Sequence, residues 1–147
     1  MKRFHIHLRV EDLPSSIAFY MALFGCPPAR VESDYAKWML DDPRINFAIS
    51  TRGETPGIDH LGIQVDSADE LEHLNQRLVA AAAPVKAQKQ AACCYAESDK
   101  YWSVDPQGIA WEAFHSLSTI PVFGGDIENP VKTPSTCCSP SSRDQTA

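Results

Sequence analysis

His5 and His60 stand on the polar side of two similar alternating runs, His5-Ile6-His7-Leu8-Arg9-Val10 and His60-Leu61-Gly62-Ile63-Gln64-Val65. Glu112 interrupts an apolar run, Ile109-Ala110-Trp111-Glu112-Ala113-Phe114. A carboxylate buried there is costly unless a cation or hydrogen bonds hold it. Two imidazoles and one carboxylate with open positions suit non-haem Fe(II) and dioxygen chemistry, and the same set accepts Mn, Co, Ni and Zn. Any single strand histidine is more often a packing residue than a ligand. His7 shares a face with His5 and is a rival ligand or a neighbour of one; the equivalence of His5 and His60 favours His5. His73 and His115 read as ordinary surface or packing residues.

A second chemistry is written in the thiols. Of five cysteines, four form two adjacent pairs, Cys93-Cys94 and Cys137-Cys138. Chance would give about 0.14 adjacent pairs, and an odd count in pairs is no disulfide framework. Adjacent cysteines are too cramped for a relaxed disulfide. Reduced, they offer two soft sulfurs suited to trivalent arsenic, Cu(I), Zn(II) or Cd(II). Lys100, if it faces the same side, would favour the thiolate. Taken alone, one such pair is more often two small residues at a strand end. Cys26 reads as only that, and Cys137-Cys138 as a weak candidate for soft-metal hand-over.

Elements must bring these groups together. A strand over residues 4–10 is followed by an Asp12 N-cap and by Pro14 in the first turn of a helix. That helix presents Ile17, Tyr20, Leu23 and Phe24 on one face and stops at Gly25. Strands follow over 35–40 and 45–50, with a weaker one over 29–32. The pattern then restarts at His60, with Ser67-Ala68-Asp69-Glu70 as a capping box where Asp12 stood. A helix through Leu71, Leu74, Leu78 and Ala81 follows, then extended runs over 85–90, 95–104 and 109–115. Asp105-Pro106-Gln107-Gly108 is a turn signal that makes the last two runs a hairpin.

The chain therefore reads as an α+β fold of two tandem βαβββ repeats forming one metal-binding cleft. Repeat one covers about 1–52 and repeat two about 58–118, one domain over 1–118; residues 119–147 read as a disordered Pro/Ser/Thr-rich tail. In the last strand of repeat one, Ala48 stands where repeat two has Glu112.

With these features the sequence resembles the vicinal oxygen chelate superfamily of glyoxalases, bleomycin-resistance proteins and extradiol dioxygenases. More narrowly, Asp34-Tyr35-Ala36-Lys37, His60–Val65 and the stretch from Cys93 to Glu112 are similar to ArsI carbon–arsenic lyases and their cadmium-induced (CadI) relatives. The resemblance spans about residues 1–117. It implies an Fe(II)-dependent enzyme with dioxygen as co-substrate, cleaving the carbon–arsenic bond of trivalent organoarsenicals such as methylarsonous acid or aromatic arsenicals. It maps the catalytic metal ligands onto His5, His60 and Glu112 and the arsenic-binding thiols onto Cys93 and Cys94; the residue reading adds Lys100 to the substrate-binding set. It also implies repeats paired within one chain or across a homodimer with exchanged elements. Two other readings stay open: a cadmium- or arsenic-sequestering protein without turnover, and a different dioxygenase or glyoxalase-like enzyme with incidental cysteines.

Composition narrows the classes. A net charge of −6 without a basic stripe argues against nucleic acid as a partner. No run has the length of a membrane span, and the opening residues lack an apolar signal segment, so a cytoplasmic location is expected.

Overall fold

The computed structural model describes residues 1–93 and 95–119. Strand β1 (Arg3–Arg9) leads into helix α1 (Leu13–Phe24), and β2 (Arg30–Glu32), β3 (Tyr35–Asp41) and β4 (Arg44–Ser50) complete the first half. The second half repeats the order with β5 (Gly57–Val65), α2 (Ala68–Ala80), β6 (Lys86–Cys93), β7 (Ala96–Val104) and β8 (Ala110–Thr119). This is the expected α+β duplication. The last strand runs to Thr119, into the region read as tail. Cys94 and Cys137-Cys138 lie outside the described residues.

The helix starts follow local chemistry. Asp12 accepts from the Ser15 amide at 2.7 Å, and Gly25 ends α1 in the left-handed region at φ 69°. Ser67 accepts from the Glu70 amide at 3.2 Å, while Glu70 reaches back to the Asp66 amide at 3.0 Å. Leu13, Ile17, Tyr20 and Phe24 form the stripe of α1 that packs on Trp38, Phe47 and Ile49. Leu23, expected on that stripe, is 63% exposed. The stripe runs through positions four, seven and eleven after Leu13, which leaves Leu23 off its edge.

All eight strands join one sheet in the order β2-β3-β4-β1-β5-β8-β7-β6. Each half is a β-quartet in which the first strand lies parallel to the last, β1 to β4 and β5 to β8. The halves meet at an antiparallel seam between β1 and β5. The repeats thus pair within one chain. Alternation sends Ile6 and Leu8 of β1, and Ile63 and Val65 of β5, toward the helices. Their neighbours His5, His7 and His60 face the other way, yet all three are buried.

Burial on the helix-free face requires the sheet to curl. Tyr95, between β6 and β7 at one end of the strand order, packs with Tyr35 and Ala48 from the first half. Its hydroxyl donates to Asp34 Oδ1 at 2.6 Å, and the Arg30 guanidinium stands 4.8 Å over its ring. The two ends of the sheet therefore touch across the seam, and the donors lie in the cleft between. Among the described residues, no helix is long and apolar enough to cross a membrane.

Candidate metal centre

His5 Nε2 and His60 Nε2 face each other at 3.1 Å, across the seam. Glu112 Oε2 stands 3.7 Å from the first and 3.5 Å from the second. Donors bound side by side at about 2.1 Å from one ion lie about 3 Å apart, so these separations fit a shared first-row metal. The ring tautomers fit too. His5 Nδ1 lies 3.0 Å from the Asn46 carbonyl, and His60 Nδ1 2.7 Å from Asp59 Oδ2. Both acceptors call for an N–H on Nδ1, which leaves the Nε2 lone pairs aimed at one another. Two lone pairs at that distance need a proton or a metal between them.

The electrostatics show which of these the metal-free chain uses. Burial disfavours the charged form of His60, but bonds to Asp59 and Glu112 outweigh it and raise its pKa to about 9. Burial, together with charge on His60, lowers His5 to about 4. His7 is pushed well down by burial and by the same neighbour. Burial works against ionised Glu112, yet the Lys100 ammonium holds its carboxyl well below the usual range. One imidazolium beside one carboxylate occupies the place that a divalent ion would take.

Lys100 is the sharpest addition to the sequence picture. Its Nζ donates to Glu112 Oε1 at 2.5 Å, and both side chains are buried. It faces the carboxylate from two rungs beyond Trp102, whose register partner is Glu112. With Oε1 engaged, Oε2 is the oxygen presented to His5 and His60.

Asp59 was not foreseen. The β1–β5 register passes from His7↔His60 to Leu8↔Ile58, so Asp59 is the extra residue of a bulge. A regular strand would send adjacent side chains to opposite faces; the bulge lets Asp59 reach His60. Arg9 Nε, 2.9 Å from Asp59 Oδ1, holds the carboxylate in turn. An acidic residue beside a ligand-type histidine was the available signal. Gly62 has a separate task, since a Cβ there would collide with the Glu112 backbone carbonyl.

His5, His7 and His60 form a buried group in which a donor atom of each lies within 4.8 Å of the others, and it could hold a divalent metal. A cavity of about 40 Å³ opens beside it, lined by His5, Tyr35, Lys37, Lys100, Glu112 and Phe114 among others. The Cys93 backbone pairs with Ala96 at the end of β6, where Tyr95 ties the β6–β7 connection to the first half. His115 is half-buried and His73 exposed, both outside this cleft. Cys26 is half-buried beneath α1.

The likeness to known proteins follows the same lines. The chain is 38% identical over 141 residues to a trivalent organoarsenical cleaving enzyme of Bacillus sp. (strain MD1), covering 94% of this chain and 83% of that protein. It is 32% identical over 125 residues to the cadmium-induced protein CadI of Mycobacterium bovis, covering 84% and 82%. Among solved structures, the Mn(II)-bound glyoxalase from Novosphingobium aromaticivorans shares the fold at a TM-score of 0.59 and 17% identity, over 86% of this chain and 43% of that one. Residues 2–113 match the family model described as Glyoxalase/Bleomycin resistance protein/Dioxygenase superfamily. Duplicated quartets, a seam that gathers imidazoles and these matches have one reading: the chain belongs to the glyoxalase/bleomycin resistance/dioxygenase superfamily.

Proposed function

We propose that this protein cleaves the carbon–arsenic bond of trivalent organoarsenicals such as methylarsonous acid, with Fe(II) as cofactor and dioxygen as co-substrate. The observation that carries it is a buried imidazole–carboxylate cleft in a chain 38% identical to an organoarsenical cleaving enzyme, and the adjacent cysteines of the sequence, Cys93-Cys94, support it. His5, His60 and Glu112 would hold the iron, and other divalent ions fit the same donors. Bound there, Fe(II) would supply the redox centre at which dioxygen is activated.

The chain's own residues do the rest. A monoorganyl trivalent arsenic has two exchangeable positions, which Cys93 and Cys94 would take, leaving the arsenic–carbon bond free. Anchoring by arsenic turns an encounter in solution into a positioned reaction. Lys100 fixes the orientation of Glu112, and Asp59 fixes the ring of His60. Tyr35 and Phe114 line the small cavity beside the donors. The balance is closed: one dioxygen and one methylarsonous acid give arsenous acid and formaldehyde, with no external reductant.

The test is anaerobic loading with Fe(II), addition of methylarsonous acid under air, and chromatography of the arsenic species. Inorganic As(III) that requires both iron and oxygen is the expected result. Cys93→Ser or Cys94→Ser should abolish arsenical binding and turnover while iron content stays intact; normal turnover in either variant would remove the thiols from the mechanism. The likeness to CadI favours one second reading, a sequestering protein for cadmium or arsenic. Tight arsenic binding without any change in speciation would establish that reading instead.

A further inference from the structure

The rungs next to the seam carry an asymmetry that bears on the number of metal ligands. In the second half, Gly62 of β5 pairs with Glu112 of β8; in the first half, the corresponding rung pairs His7 of β1 with Ala48 of β4. Each rung holds one donor side chain and one small residue. The small residue is obligatory at Gly62, where a Cβ would strike the Glu112 carbonyl. At Ala48, fully buried, the side chain is the shortest that keeps a Cβ. The halves thus match in kind: His60 and Glu112 from one, His5 and His7 from the other.

His7 itself is 3% exposed. Its Nε2 is engaged by Ser50 Oγ at 2.9 Å, while Nδ1 is buried and meets no hydrogen-bond partner among the described residues. A buried ring nitrogen left unpaired costs about 1–3 kcal/mol and asks for an explanation. The ring centroid lies 5.0 Å from that of His60, and one of its two ring nitrogens falls in the same 4.8 Å group as donors of His5 and His60.

From this we infer that His7 is a metal ligand through Nδ1, so that the centre offers three imidazoles and the Glu112 carboxylate. Ser50 is then the partner that holds the His7 ring, in the role that Asn46 and Asp59 play for His5 and His60. Four protein donors leave two positions on a six-coordinate ion for exchangeable ligands. Three imidazoles also tilt the site toward borderline ions such as Fe(II), Co(II), Ni(II) and Cu(II) over the harder Mn(II). The inference rests on the metal reading of the cleft and is independent of arsenic chemistry.

Cu(II) loaded into the full-length protein provides the test, because pulsed electron paramagnetic resonance counts coordinated imidazoles by the coupling of their remote nitrogens. The native protein is expected to show three, and His7→Ala two, with Cu(II) and Co(II) affinity lower by about 100-fold or more, beyond the 10–100-fold typical of an outer partner. The native count decides the matter even if His7→Ala fails to fold. A count of two in the native protein overturns the inference and leaves the two-imidazole centre standing. Failure to bind any of these ions overturns both, and three imidazoles without arsenical cleavage would leave His7 a ligand while sinking the lyase reading.

Discussion

His5 and His60 are the same residue type in the same kind of strand, yet their partners send them to opposite charge states. His60 bonds to Asp59 and Glu112 and keeps its proton to about 9, whereas burial and the charge on His60 hold His5 down to about 4. The signs give a test on the metal-free protein. His60 stabilises the fold fully below the unfolded value of 6.5, and that contribution is lost as pH rises through about 9. His5 acts the other way: its contribution is complete above 6.5 and is lost as pH falls through about 4. Glu112, Asp59 and His7 add to the acid limb. Urea midpoints measured with chelator should therefore peak near pH 6.5; a flat profile would contradict the charge assignment. Lys100 permits a second test. Lys100→Met strands a buried carboxylate and should cost about 3–5 kcal/mol without metal. Divalent metal should restore much of that loss, so its thermal shift should exceed that of the native protein. At this scale the sequence was informative about residue type and poor about partners. Alternation singled out His5 and His60, and the apolar setting singled out Glu112, but nothing local could say that Lys100, twelve residues away, would be the cation on it.

The strands explain why some partners were hidden. Cap residues, the Asp105–Gly108 turn and the order of elements are local features, and the structure repeats them closely. Register is a relation between strands and has no local signature beyond the hydrophobic period. The bulge that turns Asp59 toward His60 belongs to that relation, as does the approach of β8 to Gly62. Gly62→Ala tests the latter. A methyl group against the Glu112 carbonyl should cost about 1–3 kcal/mol by overpacking and displace Glu112 from the imidazoles. Equilibrium unfolding and metal titration on the same variant should both show losses; an unchanged metal affinity would mean that the β5–β8 spacing does not govern the site.

At the scale of the whole molecule, the site belongs to neither half. His5 and His7 come from one quartet and His60 and Glu112 from the other, and the quartets join through the hydrogen bonds of a single seam and the Tyr95 contacts at the rim. An ion held by both sides would be a fastener as well as a cofactor. Its escape would require either breaking every bond in place or parting the strands, and the faster of these routes would set its residence time. Metal loss to a chelator and hydrogen exchange of the β1 and β5 amides should consequently slow together when the rim is intact, and quicken together in Tyr95→Ala. Loading should in turn protect amides on both sides of the seam, far beyond the rungs that hold the donors. The duplication that built the cleft would thus make the lifetime of an ion bound there a property of how long two similar halves stay together.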